Sequence, residues 1–245
     1  MTDVSICVPV YRAHPAPNLS TLRAGLEAAL DGLDGELVVT LNGVPADDVG
    51  IGANTRVADL GVNRGVAPGW NAAASIARGD VLVFTNDDVV LKPRSLAMLY
   101  HALRERSDAG AVGPVGTNWD VNNGQHRSWV DLNGRSDGDI ERCDVLAGFL
   151  FATRREVFDR VGGFDEYYAP CSFEEVDFCT AVRLRLGLCC YAVAGVEVEH
   201  DWGISRRSPP WRRVRFDGRT ETLRSIHRRN RNHFVAKWGN QAGHR

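Results

Sequence analysis

Three groups of residues have the types and spacing to do chemistry. Asn86-Asp87-Asp88 sets two adjacent carboxylates directly after the apolar run Val81-Leu82-Val83-Phe84. Glu174, Glu175 and Asp177 place three carboxylates within four residues, and His200 stands between Glu199 and Asp201. Adjacent carboxylates beside a buried strand repel each other and lose hydration, so a positive partner is expected. A divalent cation carrying a diphosphate would supply it. The same Asn-Asp-Asp sequence also suits a solvated turn before a helix near Pro93. In the second group, Glu174 and Asp177 share one face of a helical turn and Glu175 points elsewhere. One of the three could act as a general base. Negative charge favoured at a helix N-terminus accounts for the cluster equally well. His200 is a metal-ligand type, and at a strand end it is also an ordinary hydrogen-bonding residue.

The elements that must position these groups follow from periodicity. Val4 to Tyr11 reads as a buried strand that leaves the sheet at Pro9. Leu19 to Leu33 has helical apolar spacing with Asn18 or Ser20 as cap, Glu36 to Leu41 is a second strand, and Arg56 to Leu60 a third. A glycine-containing loop from Gly61 leads into an Ala-rich helix over Asn71 to Ala77, and then Val81 to Phe84 forms a strand buried on both faces. This β-α-β-α-β alternation predicts a doubly wound α/β sheet with ligands at its carboxyl edge, where Asn86-Asp87-Asp88 falls. The glycine loop could cradle phosphate or ribose through backbone N–H groups, or serve only as a turn.

Leu96 to Arg104 is predicted as a helix and Ala111 to Pro114 as a strand. Gly116 to Glu141 reads as a long polar loop in which Trp119 and Trp129 either stack on a sugar face or act as hydrophobic pins. An apolar stretch from Cys143 to Thr153, with Gly148 inside it, leads to a helix over Arg154 to Val161. Cys189 to Val198 is predicted as one strand and Thr220 to Trp238 as a helix with Leu223, Ile226, Phe234 and Val235 on its apolar side.

Composition bounds the class. In 245 residues, 44% hydrophobic and 24% charged content is ordinary for a soluble globular protein. The net charge of −2 hides an asymmetry: residues 206–245 carry 12 Lys/Arg against 2 Asp/Glu (+10), and the rest carries 17 against 29 (−12). Such a tail meets something anionic, either a membrane surface or the acidic body itself. The six cysteines form no C-x-x-C pair and read as reduced core thiols. The first residues show no basic n-region, and no run approaches the ~18 apolar residues of a membrane span. The expectation is a cytoplasmic protein with at most peripheral membrane contact.

Taken in order, these stretches resemble glycosyltransferase family 2, whose members have the GT-A fold. The resemblance runs from Val4 to Ser205. Val4 to Tyr11 looks like the family's first strand, and Asn63-Arg64-Gly65 with Gly69 and Asn71 resembles its N-x-G…N loop and helix. Asn86-Asp87-Asp88 stands where the family has D-x-D. Phe149 to Glu166 looks like the segment before the catalytic acid, Glu174-Glu175-Val176-Asp177 like its E-D-x-D, and Val198 to Ser205 like its V-x-H-x-x-G-x-S. The N-D-D form is similar to that of members transferring rhamnose or related sugars to cell-surface glycans.

The resemblance implies a GT-A type, Rossmann-like, mostly parallel sheet flanked by helices. It implies one domain over 1–205, with 206–245 as a basic helical extension packed on or beside it. It implies an inverting transferase using a nucleotide-diphosphate sugar (UDP-, dTDP- or GDP-sugar) and Mn2+ or Mg2+, with a glycan or lipid-linked acceptor. By position, Asp88 and His200 would ligate the metal and Glu175 would be the base. Pro9, Tyr11, Asn42, Asn63, Gly65, Asn71, Asn86 and Asp87 would line the donor site, with Trp119, Glu174 and Asp177 on the acceptor side or in support. Three departures are visible: Arg12 replaces a common Asn, Asn42-Gly43-Val44 replaces D-x-S-x-D, and Glu175 replaces Asp. A sugar nucleotidylyltransferase is the first alternative, but Val10-Tyr11-Arg12-Ala13-His14-Pro15 is not its Gly-rich basic loop. The other is a non-catalytic nucleotide or nucleic-acid binding module. The acidic body and the lack of a nucleic-acid recognition motif count against that reading.

Overall fold

The structure is a computed structural model that describes residues 2–11, 18–52, 55–200 and 208–239. Its first half alternates strand and helix: β1 (Val4–Val10), α1 (Asn18–Leu30), β2 (Gly35–Leu41), β3 (Thr55–Asp59), α2 (Val66–Ile76) and β4 (Val81–Thr85). The four strands are parallel in the order β3-β2-β1-β4, with Val4 opposite Gly35 on one side and Val81 on the other. Alternate side chains go to opposite cores. Ile6, Val8 and Val83 meet α1, while Cys7, Leu82 and Phe84 meet Trp70 of α2.

Beyond β4 the alternation loosens. β5 (Val89–Leu91) leaves the sheet, α3 (Ser95–Glu105) covers the α1 face, and β6 (Ala109–Gly113) returns. Next come β7 (Gly116–Asp120), β8 (Gln125–Trp129), β9 (Ile140–Cys143), β10 (Val145–Leu146) and β11 (Leu150–Arg154). α4 (Arg155–Val161), α5 (Glu174–Leu186) and β12 (Cys189–Val193) follow. β11 inserts antiparallel between β4 and β6, completing an eight-stranded sheet in the order β3-β2-β1-β4-β11-β6-β12-β9. β13 (Val198–His200) pairs with β5, and the hairpin β14 (Arg213–Phe216) and β15 (Arg219–Thr222) delivers the chain into α6 (Leu223–Trp238). The α/β architecture expected from the sequence is the one found. No described helix is long and apolar enough to cross a membrane.

Several boundaries differ from the sequence reading, each for a local reason. Pro9 lies inside β1, because pairing to β4 stops at Cys7 and a residue without an N–H is tolerated beyond it. α1 ends at Leu30, where Asp31 and Gly32 take φ of 48° and 91°. α2 starts at Val66, inside the supposed loop, because Pro68 falls in its first turn, where no N–H is needed.

The supposed loop 116–141 contains the β7–β8 hairpin. All five residues of β8 are exposed, so no apolar alternation marks it. The predicted strand 189–198 is two strands broken at Gly195, φ 77°. The first residues of the predicted helix 220–238 are β15, turned back from β14 by Asp217-Gly218 at φ of 47° and 72°. All six cysteines are free thiols, and burial pushes those of Cys7 and Cys143 up.

Candidate active site

β4 ends on a well-tied turn. The Thr85 hydroxyl and the Asn86 amide both donate to the Phe149 carbonyl, at 2.9 and 3.1 Å, and Trp70 Nε1 donates to the Thr85 carbonyl at 3.3 Å. The chain then enters β5, whose Val89 pairs with His200 of β13. This two-stranded ribbon brings Asp88 Oδ1 to 3.4 Å from His200 Nε2, with both side chains largely buried. The Phe149 ring stacks on the His200 imidazole at 4.6 Å and 11° from parallel.

The residues present fit a divalent cation. Burial, then the neighbouring Asp88, pushes the Asp87 carboxyl up to about 7. Asp88 Oδ1 is buried and accepts no hydrogen bond among the described residues. An unsatisfied buried carboxylate oxygen is costly, and a cation relieves both that and the repulsion between the two acids. The carboxylate suits Mn2+ or Mg2+, and an imidazole beside it favours the softer Mn2+ of the two. No cluster of three or more His, Cys, Asp or Glu suited to a metal occurs among the described residues. The remaining ligands would come from outside that set, as when phosphates carry the ion.

His200 and Asn86 line a cleft of ≈ 1180 Å³ that also takes in Glu174 and Glu175. α5 begins at Glu174 after Ser172 and Phe173, both at left-handed φ near 80°. Contrary to the spacing argument, the adjacent Glu174 and Glu175 both reach the cleft from the helix end, and Asp177 does not line it. Burial raises the Glu175 carboxyl to about 7. It raises that of Glu174 well above the ordinary range, helped by the Glu175 charge. Gly148 makes room for Glu175: a Cβ there would lie 3.0 Å from its Cδ.

Asp177 is a buried hub. It accepts from Tyr168 Oη at 2.9 Å, Lys237 Nζ at 2.8 Å and Trp238 Nε1 at 2.7 Å. Its work is to hold α6 against α5.

The N-x-G…N residues are also committed within the protein. Asn42 donates to the Gly65 carbonyl (2.9 Å) and accepts from the Arg64 amide (2.7 Å). Asn63 accepts from the Gly65 amide (3.0 Å) and donates to the Arg215 carbonyl (2.9 Å). Asn71 both donates to and accepts from the Phe164 backbone, at 2.9 Å each. Gly65, at φ 100°, lies so close to Pro170 that a Cβ would sit 2.6 Å from its Cα. Direct donor contact by the three Asn side chains would require these bonds to be given up. Pro9 is buried under Gly69, whereas Tyr11, just past the end of β1, is 43% exposed. Arg12 lies outside the described residues, as does 201–207 of the V-x-H-x-x-G-x-S stretch.

The far wall of the cleft is the β7–β8 hairpin and α6. Trp119 sits edge-on to Phe173 (5.9 Å, 86°), and His126 packs on Trp129 at 4.9 Å. α6 buries Ile226, Phe234 and Trp238 fully, while Leu223 and Val235 are only partly covered. Asn230 clamps the approach to α5 by donating to the carbonyls of Tyr168 (2.7 Å), Cys171 and Ser172 (both 2.9 Å). Arg224, His227, Arg228 and Arg231 line the cleft. Sequence reasoning gave the tail a covering role but did not single out these four. Their i, i+3, i+4, i+7 spacing was the available signal.

Comparisons with known proteins bear on the fold and the family. A protein of Sinorhizobium fredii (strain NBRC 101917 / NGR234), described as "Uncharacterized protein y4gI", is 29% identical over an alignment of 244 positions that covers 87% of this chain and 26% of that protein. The chain therefore spans about a quarter of that curated relative. Among solved structures, GalNAc-T7 with UDP, GalNAc and Mn2+ superposes with a TM-score of 0.72 at 15% identity, over 97% of this chain and 48% of the other. The mannosyltransferase PcManGT from Pyrobaculum calidifontis, in complex with GDP-Man and Mn2+, gives 0.54 at 18% identity over 79% and 55%. At these identities the likeness is one of fold, the GT-A fold. Residues 5–162 match the sequence profile of glycosyl transferase family 2, most of the chain, and the protein belongs to that family.

Proposed function

We propose that the chain moves a sugar from a nucleotide-diphosphate donor to a hydroxyl acceptor, with inversion at the anomeric carbon and dependence on Mn2+ or Mg2+. The observation carrying this reading is the 3.4 Å approach of Asp88 Oδ1 to His200 Nε2, with His200 and Glu175 lining one cleft. The solved relatives hold UDP or GDP-Man together with Mn2+, which supports the donor class. Asp88 and His200 would hold the cation, which when bound offsets the charge of the leaving diphosphate. Asn86 and Asp87 face the ribose or diphosphate, and the exposed ring of Tyr11 is available to stack on the base.

Glu175 takes the proton of the acceptor hydroxyl as its oxygen attacks the anomeric carbon. The new C–O bond forms as the bond to the β-phosphate oxygen breaks, and the electron pair leaves with the nucleoside diphosphate. A carboxyl poised at about 7 is suited to accept that proton near neutral pH. Trp119 and Glu174 support the acceptor side. The acceptor is a cell-surface glycan or lipid-linked saccharide met on the cytoplasmic side. Trp211, 75% exposed beside Arg212 and Arg213, suits a peripheral contact with anionic membrane. In this reading residues 1–205 are the transferase domain and 206–245 its extension.

The test is incubation with UDP-, GDP- and dTDP-sugars, dTDP-rhamnose among them, with Mn2+, with Mg2+ or with EDTA. Metal-dependent release of nucleoside diphosphate, and a product of inverted configuration by NMR, is expected. Pyrophosphate release would instead mark nucleotidyl transfer, and retained configuration would overturn inversion.

A further inference from the structure

The cationic residues of α6 fall into two sets. One is neutralised by the body: Arg229 pairs with Glu221 at 2.6 Å, His233 with Asp165 at 3.3 Å, and Lys237 with Asp165 and Asp177, each at 2.8 Å. The other set, Arg224, Arg228 and Arg231, lines the cleft and forms no ion pair with a carboxylate among the described residues. Arg231 donates Nε to the Asn123 carbonyl at 2.8 Å. The Arg224 and Arg228 side chains make no hydrogen bond or ion pair among the described residues. Spaced four and three apart, these cations repel one another along one helix face. Burial, then the adjacent Arg231, holds the His227 imidazole below its ordinary value, so the positive charge of the stripe is that of the arginines.

The stripe lies against the hairpin, in the cleft that His200 also lines. Gly124, in the β7–β8 turn, is so close to α6 that a Cβ would sit 3.2 Å from Arg231 Cγ. Trp119, His126 and Trp129 of that hairpin share the cleft with the arginines. Flat aromatic faces next to guanidinium forks that no described carboxylate neutralises suit a sugar that carries a phosphate or carboxylate.

We propose that Arg224, Arg228 and Arg231 recognise an anionic group, phosphate or carboxylate, on the acceptor, so the acceptor is a charged saccharide or a glycosyl phosphate and not a neutral sugar. This rests on the transferase reading above. The donor's diphosphate is assigned in that reading to the cation at Asp88 and His200, which leaves this stripe to the acceptor.

The test compares the wild type with Arg224→Gln/Arg228→Gln, both surface positions whose loss leaves the fold intact by circular dichroism and melting. Tri-galacturonate, dodecyl phosphate and neutral galactotriose are titrated by tryptophan fluorescence, and UDP, GDP and dTDP with Mn2+ are titrated in parallel, the nucleotide that binds serving as the donor control (UDP below). The wild type should bind one anionic probe well above galactotriose, and which one distinguishes carboxylate from phosphate. The double variant should bind that probe about tenfold or more weakly while its UDP–Mn2+ affinity is unchanged. Arg224→Lys/Arg228→Lys should restore part of the loss, keeping the charge without the fork. Equal binding of galactotriose, no binding of either anion by the wild type, or an unaffected double variant would overturn the proposal. Loss of UDP–Mn2+ binding in the double variant would overturn it too, assigning the arginines to the donor. A wild type that binds none of UDP, GDP and dTDP with Mn2+ sinks the transferase reading and leaves the anion result readable by itself.

Discussion

Phe149 and His200 lie ring on ring, 4.6 Å between centroids and 11° from parallel. The stacking fixes the imidazole plane, and the Phe149 carbonyl ties down the Thr85–Asn86 turn as well. Phe149→Leu keeps the backbone contact and removes the flat surface. It should weaken Mn2+-dependent UDP binding by about 10- to 100-fold, the usual effect of loosening a ligand's support, with a small change in melting temperature. Calorimetric titration of UDP at several Mn2+ concentrations measures it.

Asp88→Ala removes the carboxylate nearest His200 and should abolish the metal dependence of nucleotide binding while the fold melts normally. EDTA should reproduce the effect in the wild type. A variant whose UDP affinity still rose with Mn2+ would take Asp88 out of the site.

Glu175→Gln should lower turnover by roughly 10² to 10⁴ with donor affinity nearly unchanged. Glu175 must be ionised to act, so wild-type kcat/KM should rise with pH through a limb near 7, the value to which burial lifts it. The stability effect has the opposite sign. Because the folded state binds this proton more tightly than the unfolded one, stability is lost as pH rises from the ordinary 4.5 through about 7. Glu175→Gln should flatten that decline, read as melting temperature against pH. If Glu174→Gln were the crippling change instead, the base would be its neighbour.

Lys237→Met leaves the Asp177 carboxylate buried with neutral donors only. Breaking such a pair should cost about 3 kcal/mol in urea unfolding. Asp177→Asn should likewise act on stability and spare the pH limb of activity, which separates Asp177 from a catalytic role. Removing 220–245 exposes the surface that Ile226, Phe234 and Trp238 cover, so a large fall in melting temperature is expected. A stable truncation that no longer sediments with anionic vesicles would instead favour the membrane role of the tail.

The carboxyl edge of the sheet was legible in the sequence because β4 is apolar without a break and is followed at once by two acids. The pairing of Asp88 with His200 was not legible from local pattern. It depends on two three-residue strands, β5 and β13, too short to carry a period. The three acids of α5 were visible as a cluster, but their division was not. Glu175 reaches the cleft because Gly148 leaves it room, and Asp177 is claimed by a helix sixty residues downstream. The β7–β8 hairpin stayed hidden because a strand exposed on both faces has the composition of a loop. The apolar side of α6 could be read, whereas the sorting of its cations into paired and unpaired sets needed the positions of Asp165, Asp177 and Glu221.

The β5–β13 ribbon also has a consequence for biosynthesis. Asp88 leaves the ribosome well before its partner His200, which follows only after all eight strands of the large sheet have been made. A nascent or truncated chain ending before β13 can therefore bury much of its hydrophobic core and still lack the Asp88–His200 pair. Under the proposed assignment, metal-dependent donor capture waits on the synthesis of β13.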